Sequence, residues 1–234
     1  MRYLSVFIVL FVSLLSFSQK EQKVDAVFKK LEEKYGNNNE YAFSMSYKLY
    51  KGHNSGKLSE QYNAQLFHSS KGTYQKIKNT EFVSTSQFSI KINHDEKAIV
   101  VTNGAKQNFF KEYKNALKAA SSYELSEKNG NYNINIFFFG PTNLPYYKLN
   151  LIVNKSNYEL KEVNLYYSSE TDFDPSFNTS EWAKPHLKIL YTKGSMDQLD
   201  NSWFLKENYY KIKSGKLVLN DKYSGYSVIN TLEQ

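Results

Sequence analysis

The stretch YAFSMSYKLY, residues 41–50, decides the fold class of this chain. Polar side chains such as Ser44 and Lys48 stand at its even positions. The odd positions hold apolar or aromatic side chains: Tyr41, Phe43, Met45, Tyr47 and Leu49. Successive side chains of a strand point to opposite faces of a sheet, so this alternation predicts a β-strand with one buried face.

The same two-residue period recurs through most of the chain, interrupted by turn signals. Phe88–Ile92 leads into the turn His94–Lys97, and Asn129-Gly130 separates two further alternating runs. Asn-Gly is favoured in two-residue hairpin turns because both positions take positive φ. The pattern predicts about ten antiparallel strands, with one face of the sheet apolar throughout. A single sheet of that size must curl or close.

Two stretches follow the helical period instead. The first has an apolar stripe that ends before Gly36 and consists of Val24, Val27, Phe28, Leu31 and Tyr35. A second amphipathic helix is predicted from Lys106 to Ala120. Two helices are too few to cover so wide an apolar face. We therefore predict a mainly β (α+β) fold in which helices on the concave face of a curved antiparallel sheet leave a hydrophobic cavity.

The first residues have the pattern of an export signal. Arg2 supplies a positive charge, Leu4–Leu15 is almost entirely apolar, and Ser16 and Ser18 are small residues that fit the −3 and −1 positions of a cleavage site. The apolar run is shorter than the about 20 residues of a membrane span, which disfavours the alternative of an uncleaved anchor. We predict that residues 1–18 are a cleaved signal peptide and that residues 19–234 form a single exported domain.

The composition excludes several classes of function. The 234 residues include no cysteine, which rules out disulfides, thiolate nucleophiles and iron–sulfur clusters. The formal net charge of +7 would permit contact with nucleic acid. However, Arg2 is the only arginine, and base readout depends on the planar arginine fork. Since the lysines are also scattered, we expect no nucleic-acid partner.

Candidate groups for catalysis are few. No metal-ligand spacing links the four histidines, which are His53, His68, His94 and His186. Asp172 and Asp174 could flank a substrate as paired carboxylates, but their spacing is more typical of a solvated loop. A Gly-x-Ser-x-Gly elbow is also missing from the sequence. We therefore expect a protein that is not an enzyme and that has no cofactor and no metal site.

The order of these elements, together with three stretches, resembles the LolA-like periplasmic lipoprotein carriers, a lipoprotein-sorting family. The stretches are FSIKINHDEKAIVVT at 88–102, YYKIKSGKLV at 209–218 and KYSGYSVIN at 222–230. The resemblance implies an open half-barrel with two or three helices on the concave face, over a cavity that receives lipoprotein acyl chains or lipids. It also implies a periplasmic carrier that passes its cargo from an inner-membrane donor toward an acceptor at the outer membrane.

The chain departs from that family in the residues of the gate. The well-studied carriers hold their closed state with a buried arginine at the cavity mouth, whereas no arginine follows residue 18 here. Asn230 stands where the family has a closing acid. The alternative is a non-transporting envelope module of the same fold that binds a ligand, senses a signal or serves as a scaffold.

Large apolar side chains on the inward face are the candidates for the cavity wall, although such stripes are more often ordinary core. The helices contribute Phe28, Leu31, Phe110 and Tyr113. The strands contribute Phe43, Met45, Tyr47, Leu66, Phe88, Ile90, Ile134, Ile136, Phe138, Leu149, Leu151 and Leu165. The irregular segment Ser168–Lys184 is predicted to be a lid or crossover.

Overall fold

The computed structural model of the protein describes residues 22–36, 38–105, 109–140, 143–174, 176 and 180–232. The predicted signal peptide, residues 1–18, lies outside these ranges. Two α-helices are described, α1 over residues 22–35 and α2 over Phe109–Lys118.

The described strands account for most of the chain. Their bounds are β1 Tyr41–Tyr50, β2 Leu58–Ser69, β3 Gly72–Ile77, β4 Thr80–Thr85, β5 Phe88–Asn93, β6 Ala98–Asn103, β7 Ser122–Lys128, β8 Asn131–Phe137, β9 Tyr146–Asn154, β10 Leu160–Tyr167, β11 Thr171–Asp172, β12 Trp182–Ala183, β13 His186–Lys193, β14 Tyr210–Lys213, β15 Lys216–Leu219 and β16 Ser227–Thr231. Short 3-10 helices fill the C-terminal part at Met196–Gln198, Asn201–Phe204, Lys206–Asn208 and Asp221–Tyr223.

Twelve strands form one curved sheet in the order β16-β6-β5-β4-β3-β2-β1-β13-β10-β9-β8-β7. The end strands β16 and β7 are not paired with each other, so the sheet is open. The predicted fold class, a mainly β fold with a curved open sheet and few helices, is confirmed. One ladder differs from the prediction, because β16 joins β6 in parallel. Its chain arrives through a long crossover rather than a hairpin, and a crossover permits the parallel direction.

The local signals in the sequence correspond to the observed elements. All five residues of the predicted α1 stripe are buried. Helix α2 lies inside its predicted range, of which residues 106–108 are outside the described part. Asn129 and Gly130 both have positive φ, 51° and 73°, and join β7 to β8 as the hairpin signal predicted.

The sheet is covered on opposite faces in its two halves. In β1, Phe43 pairs with Leu66 and both pack against α1 in one core. The neighbouring Ala42 pairs with Phe67, and both belong to a second core that includes Phe204. We call the first side the helix face and the second the C-terminal face. The helix-face core spreads over β1, β2, β13 and β10 to β7, whereas the C-terminal core spreads over β2 to β6.

The prediction of one apolar face throughout the sheet is therefore wrong. Pairing carries Tyr74, Val83 and Ile90 in turn onto the same face as Phe67. Alternation within a strand shows that one face is buried but not which face of the whole sheet it is, because the register of every hairpin in between decides that.

The C-terminal face is covered by the 3-10 helices and the β14–β15 hairpin. Trp203 stacks on Tyr74 with ring centroids 3.9 Å apart, and Tyr209 packs near Phe88. A Cβ on Gly72 would lie 2.3 Å from the Ser84 carbonyl oxygen of the neighbouring strand β4 and 3.1 Å from the Phe204 ring of the cover. A glycine is required at this contact.

Candidate functional site

Helix α1 is held tightly on the helix face. Leu31 is fully buried, and the Tyr35 ring meets the Tyr41 ring edge to face at 5.3 Å. The Leu160 backbone N–H donates a hydrogen bond to the Tyr35 hydroxyl at 3.3 Å. Burial raises the pKa of Tyr35 to about 12, so this hydroxyl stays neutral at physiological pH. These contacts fix the axis of α1 across the middle of the sheet.

Most of the side chains predicted to line a cavity meet in this one core. Buried together on the helix face are Phe28, Leu31, Phe43, Met45, Leu66, Ile134, Ile136, Phe138, Leu149 and Leu151. Partly buried against them are Tyr47, Tyr113 and Leu165. Phe88 and Ile90 lie apart from this set, in the core on the C-terminal face. The side chain of Phe110 lies outside the described part of α2.

The centre of the helix face is closed by packing. Ile134, Ile136, Leu149 and Leu151 have no exposed surface. Helices α1 and α2 thus fill the space that the sequence suggested as a cavity. Any ligand that reaches these residues must displace a helix.

An open cleft of about 660 Å³ lies at the margin of this core, between α1 and α2. Its apolar walls are Phe28, Leu117, Ala120 and Tyr123, and its charged rim is Asp25, Lys29, Glu32, Lys114 and Lys118. Phe28, Leu117, Ala120 and Tyr123 also belong to or pack against the helix-face core. Apolar side chains of the helix-face core thus form the floor of the cleft.

One ion pair joins the two helices at the rim. The Lys114 ammonium group of α2 lies 2.7 Å from a Glu32 carboxylate oxygen of α1. Both side chains are about half exposed. Such a solvent-exposed ion pair contributes about 0.2–1 kcal/mol to stability, so it holds the two helices together only weakly.

Three tyrosine hydroxyls lie in the core beneath α2. The Tyr113 and Tyr191 hydroxyl oxygens are 3.3 Å apart. Gln75 donates to the Tyr47 hydroxyl at 3.3 Å. Burial raises the pKa of Tyr113 and Tyr191 and brings the pKa of Tyr47 to about 12.

Several residues of the cleft were missed as site residues. Leu117 and Ala120 lie within the range predicted for α2, but helical periodicity does not show which of its side chains stand at an opening. The pairing of Lys114 with Glu32 joins residues 82 positions apart. No local pattern signals such a contact.

The histidines are engaged at separate places. Their closest polar contacts are the Tyr167 carbonyl for His53, the Thr73 hydroxyl for His68, the Glu81 carboxylate and Tyr226 hydroxyl for His94, and the Asn164 side-chain oxygen for His186. Within the described ranges, no group of three His, Asp or Glu side chains is placed to hold a metal ion.

Within the segment Ser168–Lys184, β11 pairs with β12 in a short antiparallel sheet. Glu181 forms ion pairs with Lys51 and with Lys57, the latter at 2.6 Å, which tie the segment to the β1–β2 connection. Asp172 accepts the backbone N–H of Asp174 in a local turn.

None of the helices in the described part of the chain is both long and apolar enough to span a bilayer.

No protein-family model matches the sequence, and no curated protein matches it. Among similar solved structures, an uncharacterized conserved protein from Thermus thermophilus is 7% identical, with 89% of this chain and 99% of that chain covered and a TM-score of 0.47. A LolA superfamily protein from Nitrosomonas europaea is 9% identical, with 78% and 97% covered and a TM-score of 0.33. A domain assigned to outer membrane lipoprotein sorting, from Vibrio parahaemolyticus, is 8% identical, with 76% and 96% covered and a TM-score of 0.36. LolA superfamily and lipoprotein-sorting proteins are thus among the solved structures that this chain resembles.

Proposed function

We propose that this protein is an exported, periplasmic carrier that binds the acyl chains of lipids or lipoproteins between α1 and α2 and passes them toward the outer membrane. The observation that carries the proposal is the cleft of about 660 Å³, whose apolar walls run into the helix-face core. The sequence motifs that resemble LolA-like carriers support it. Export rests on the signal peptide predicted for residues 1–18.

The energy of binding would come from apolar burial. An acyl chain gains about 0.8 kcal/mol for each CH₂ that leaves water, so a chain of about twelve methylenes gains roughly 10 kcal/mol before the cost of moving a helix. The helices must part at the rim, where the Lys114–Glu32 pair opposes opening only weakly. The carriers that this chain resembles hold their closed state with a buried arginine, whereas no arginine follows residue 18 here. We propose that the Lys114–Glu32 pair takes that role and holds the closed state of this protein.

Uptake of a fluorescent fatty acid by the purified protein tests this function. Leu117→Lys places a charge on the cleft wall at a partly buried position and should abolish uptake while the fold is retained. Leu58→Lys is the matched control, because Leu58 is an exposed apolar residue of β2 outside the cleft. The proposal would be contradicted if the wild-type protein takes up no fatty acid and native mass spectrometry detects no bound lipid.

The same preparation separates the carrier from the non-transporting module. Lipid-loaded protein is mixed with acceptor vesicles, and transfer is followed by fluorescence. A carrier releases its cargo, whereas a sensor or scaffold retains it.

A further inference from the structure

The β14–β15 hairpin projects from the twelve-stranded sheet as a separate two-stranded sheet. Its turn residues Ser214 and Gly215 both have positive φ, 49° and 76°, which is the geometry of a tight hairpin turn. At its base, Tyr210 is buried against Phe88, and Leu219 packs on the C-terminal core. Leu217 also packs on this core, so one face of the hairpin is held against the C-terminal face, and the other face, with Lys211, Lys213, Lys216 and Val218, points away from it.

The tip exposes apolar side chains. Ile212 is 53% exposed and Val218 is 42% exposed. Ile212 pairs with Leu217, and Val218 pairs with Lys211, so the two exposed side chains point to opposite faces of the hairpin. Apolar surface is thus offered to solvent on both sides of the tip.

The same tip is strongly basic. Lys211, Lys213 and Lys216 are exposed, and no acidic residue lies between Tyr210 and Leu219. Within the part of the chain that the structure describes, none of these lysines forms an ion pair. Three uncompensated positive charges therefore lie on the same face of the hairpin as Val218, and Ile212 is exposed on the other face.

Protection of a sheet edge does not explain this arrangement. Lysines alone keep an exposed edge from pairing with another chain, and exposed Ile212 and Val218 would work against that purpose. Lysines beside exposed aliphatic side chains match the interface of an anionic bilayer instead. The ammonium groups meet lipid phosphates there, while the aliphatic groups enter the boundary with the acyl chains.

We propose that the β14–β15 hairpin docks the protein on an anionic lipid bilayer. The hairpin lies on the C-terminal face over the β3–β6 half of the sheet, whereas the cleft opens on the helix face beside β7. Docking therefore uses a surface separate from the acyl-chain site. It does not require that the proposed carrier function be correct.

Co-sedimentation with vesicles tests the docking. The lipid-free protein is mixed with phosphatidylcholine vesicles, with and without phosphatidylglycerol, at low and high salt. We expect binding only to the anionic vesicles, weakened by salt. Replacing the three lysines together, K211Q/K213Q/K216Q, should weaken binding about 100-fold, because each lysine near an anionic surface contributes roughly fivefold. Ile212→Ser with Val218→Ser should weaken it about tenfold.

A control with the same loss of charge makes the test specific. Lys71, Lys128 and Lys193 are exposed lysines outside the hairpin that form no ion pair within the described ranges. Their triple change to glutamine should leave more than half of the vesicle binding in place.

Three results would overturn the proposal. The first is equal binding of the wild type to neutral and anionic vesicles, and the second is an equal loss in the control and hairpin variants. The third is an unchanged affinity of the hairpin variants, which would point to an acidic protein as partner instead. Fatty-acid uptake of K211Q/K213Q/K216Q is measured in parallel and should match the wild type. A wild-type protein that takes up no fatty acid but binds anionic vesicles through the hairpin would leave the docking proposal intact.

Discussion

Lys114 in α2 and Glu32 in α1 form an ion pair of 2.7 Å across the mouth of the apolar cleft. Because the pair connects the only two α-helices of the described chain, its strength bears on how readily they separate. The proposed loading route passes between these two residues.

Glu32→Gln should speed the uptake of fluorescent fatty acid. The change removes the carboxylate that holds Lys114, yet it lowers the free energy of unfolding by no more than about 1 kcal/mol, because the pair is half exposed. Stopped-flow fluorescence measures the rate, and high salt should bring the wild type toward the variant.

Glu33→Gln is the matched control for that experiment. Glu33 pairs with Lys30 at 2.7 Å within α1 and makes no link to α2. Equal rates in both variants would show that the loss of a negative charge, and not the opening of the rim, changed the rate.

Acidification should destabilise the protein partly through His186. Burial, together with the nearby Lys188, lowers the pKa of His186 from its ordinary 6.5 to about 4. The unfolded chain therefore binds a proton at pH values where the folded chain does not. This contribution to stability is present above about pH 6.5 and is lost as the pH falls from there toward 4.

His186→Gln isolates this effect, since glutamine can still donate to the Asn164 side-chain oxygen that His186 contacts at 2.9 Å. Urea unfolding at a series of pH values should give a free energy that falls less steeply in the variant than in the wild type between pH 6.5 and 4.5. If the free energy of unfolding falls equally steeply in the variant and the wild type, the assignment of this pH dependence to His186 is contradicted.

Gly72→Ala should lower the free energy of unfolding by about 1–3 kcal/mol, because the new methyl group would meet the Ser84 carbonyl and Phe204. Gly56→Ala serves as the control, since a Cβ there has no neighbour within 4 Å. Urea denaturation of both variants checks the difference. Similar losses in the two would mean that the β4 backbone and the Phe204 ring do not approach Gly72 as closely as described.

Trp203→Leu should destabilise the C-terminal cover without changing fatty-acid uptake. It removes the stack on Tyr74, a contact on the face opposite the cleft. We expect a lower melting temperature by circular dichroism and an unaltered uptake curve. A parallel loss of uptake would show that the two cores are coupled.

Fluorescence also checks the position of Trp203. Trp203 is partly buried against the C-terminal core and Trp182 is 59% exposed, so Trp182→Phe should leave an emission that is blue-shifted and less quenched by acrylamide than that of the wild type. Strong quenching of the remaining tryptophan would place Trp203 in solvent.

Local structure could be predicted from the sequence where the physical cause is local. The stripe from Val24 to Tyr35 identified α1, and Asn129-Gly130 identified a hairpin, because helical period and positive φ are properties of neighbouring residues. Phe88 and Ile90 were recognised as buried, but their face was not. That face depends on the registers of successive hairpins between β1 and β5.

The remaining features depend on residues far apart in sequence. The parallel addition of β16 brings Val228 beside Ile99, and the rim pair joins Glu32 to Lys114. Neither contact has a periodic signature. The exposure of Ile212 likewise depends on the hairpin standing outside the main sheet, which the alternation in its own strand cannot reveal.

Ala42 and Phe43 are consecutive in β1 but belong to different cores. Strand β1 thus separates the helix-face core from the C-terminal core and contributes side chains to both. A bound acyl chain would expand the core on the helix face and leave the packing of the C-terminal core unchanged. The heat-capacity change on binding should therefore reflect apolar burial in the helix-face core alone. We expect the C-terminal core on the other face to keep its packing while the helices move.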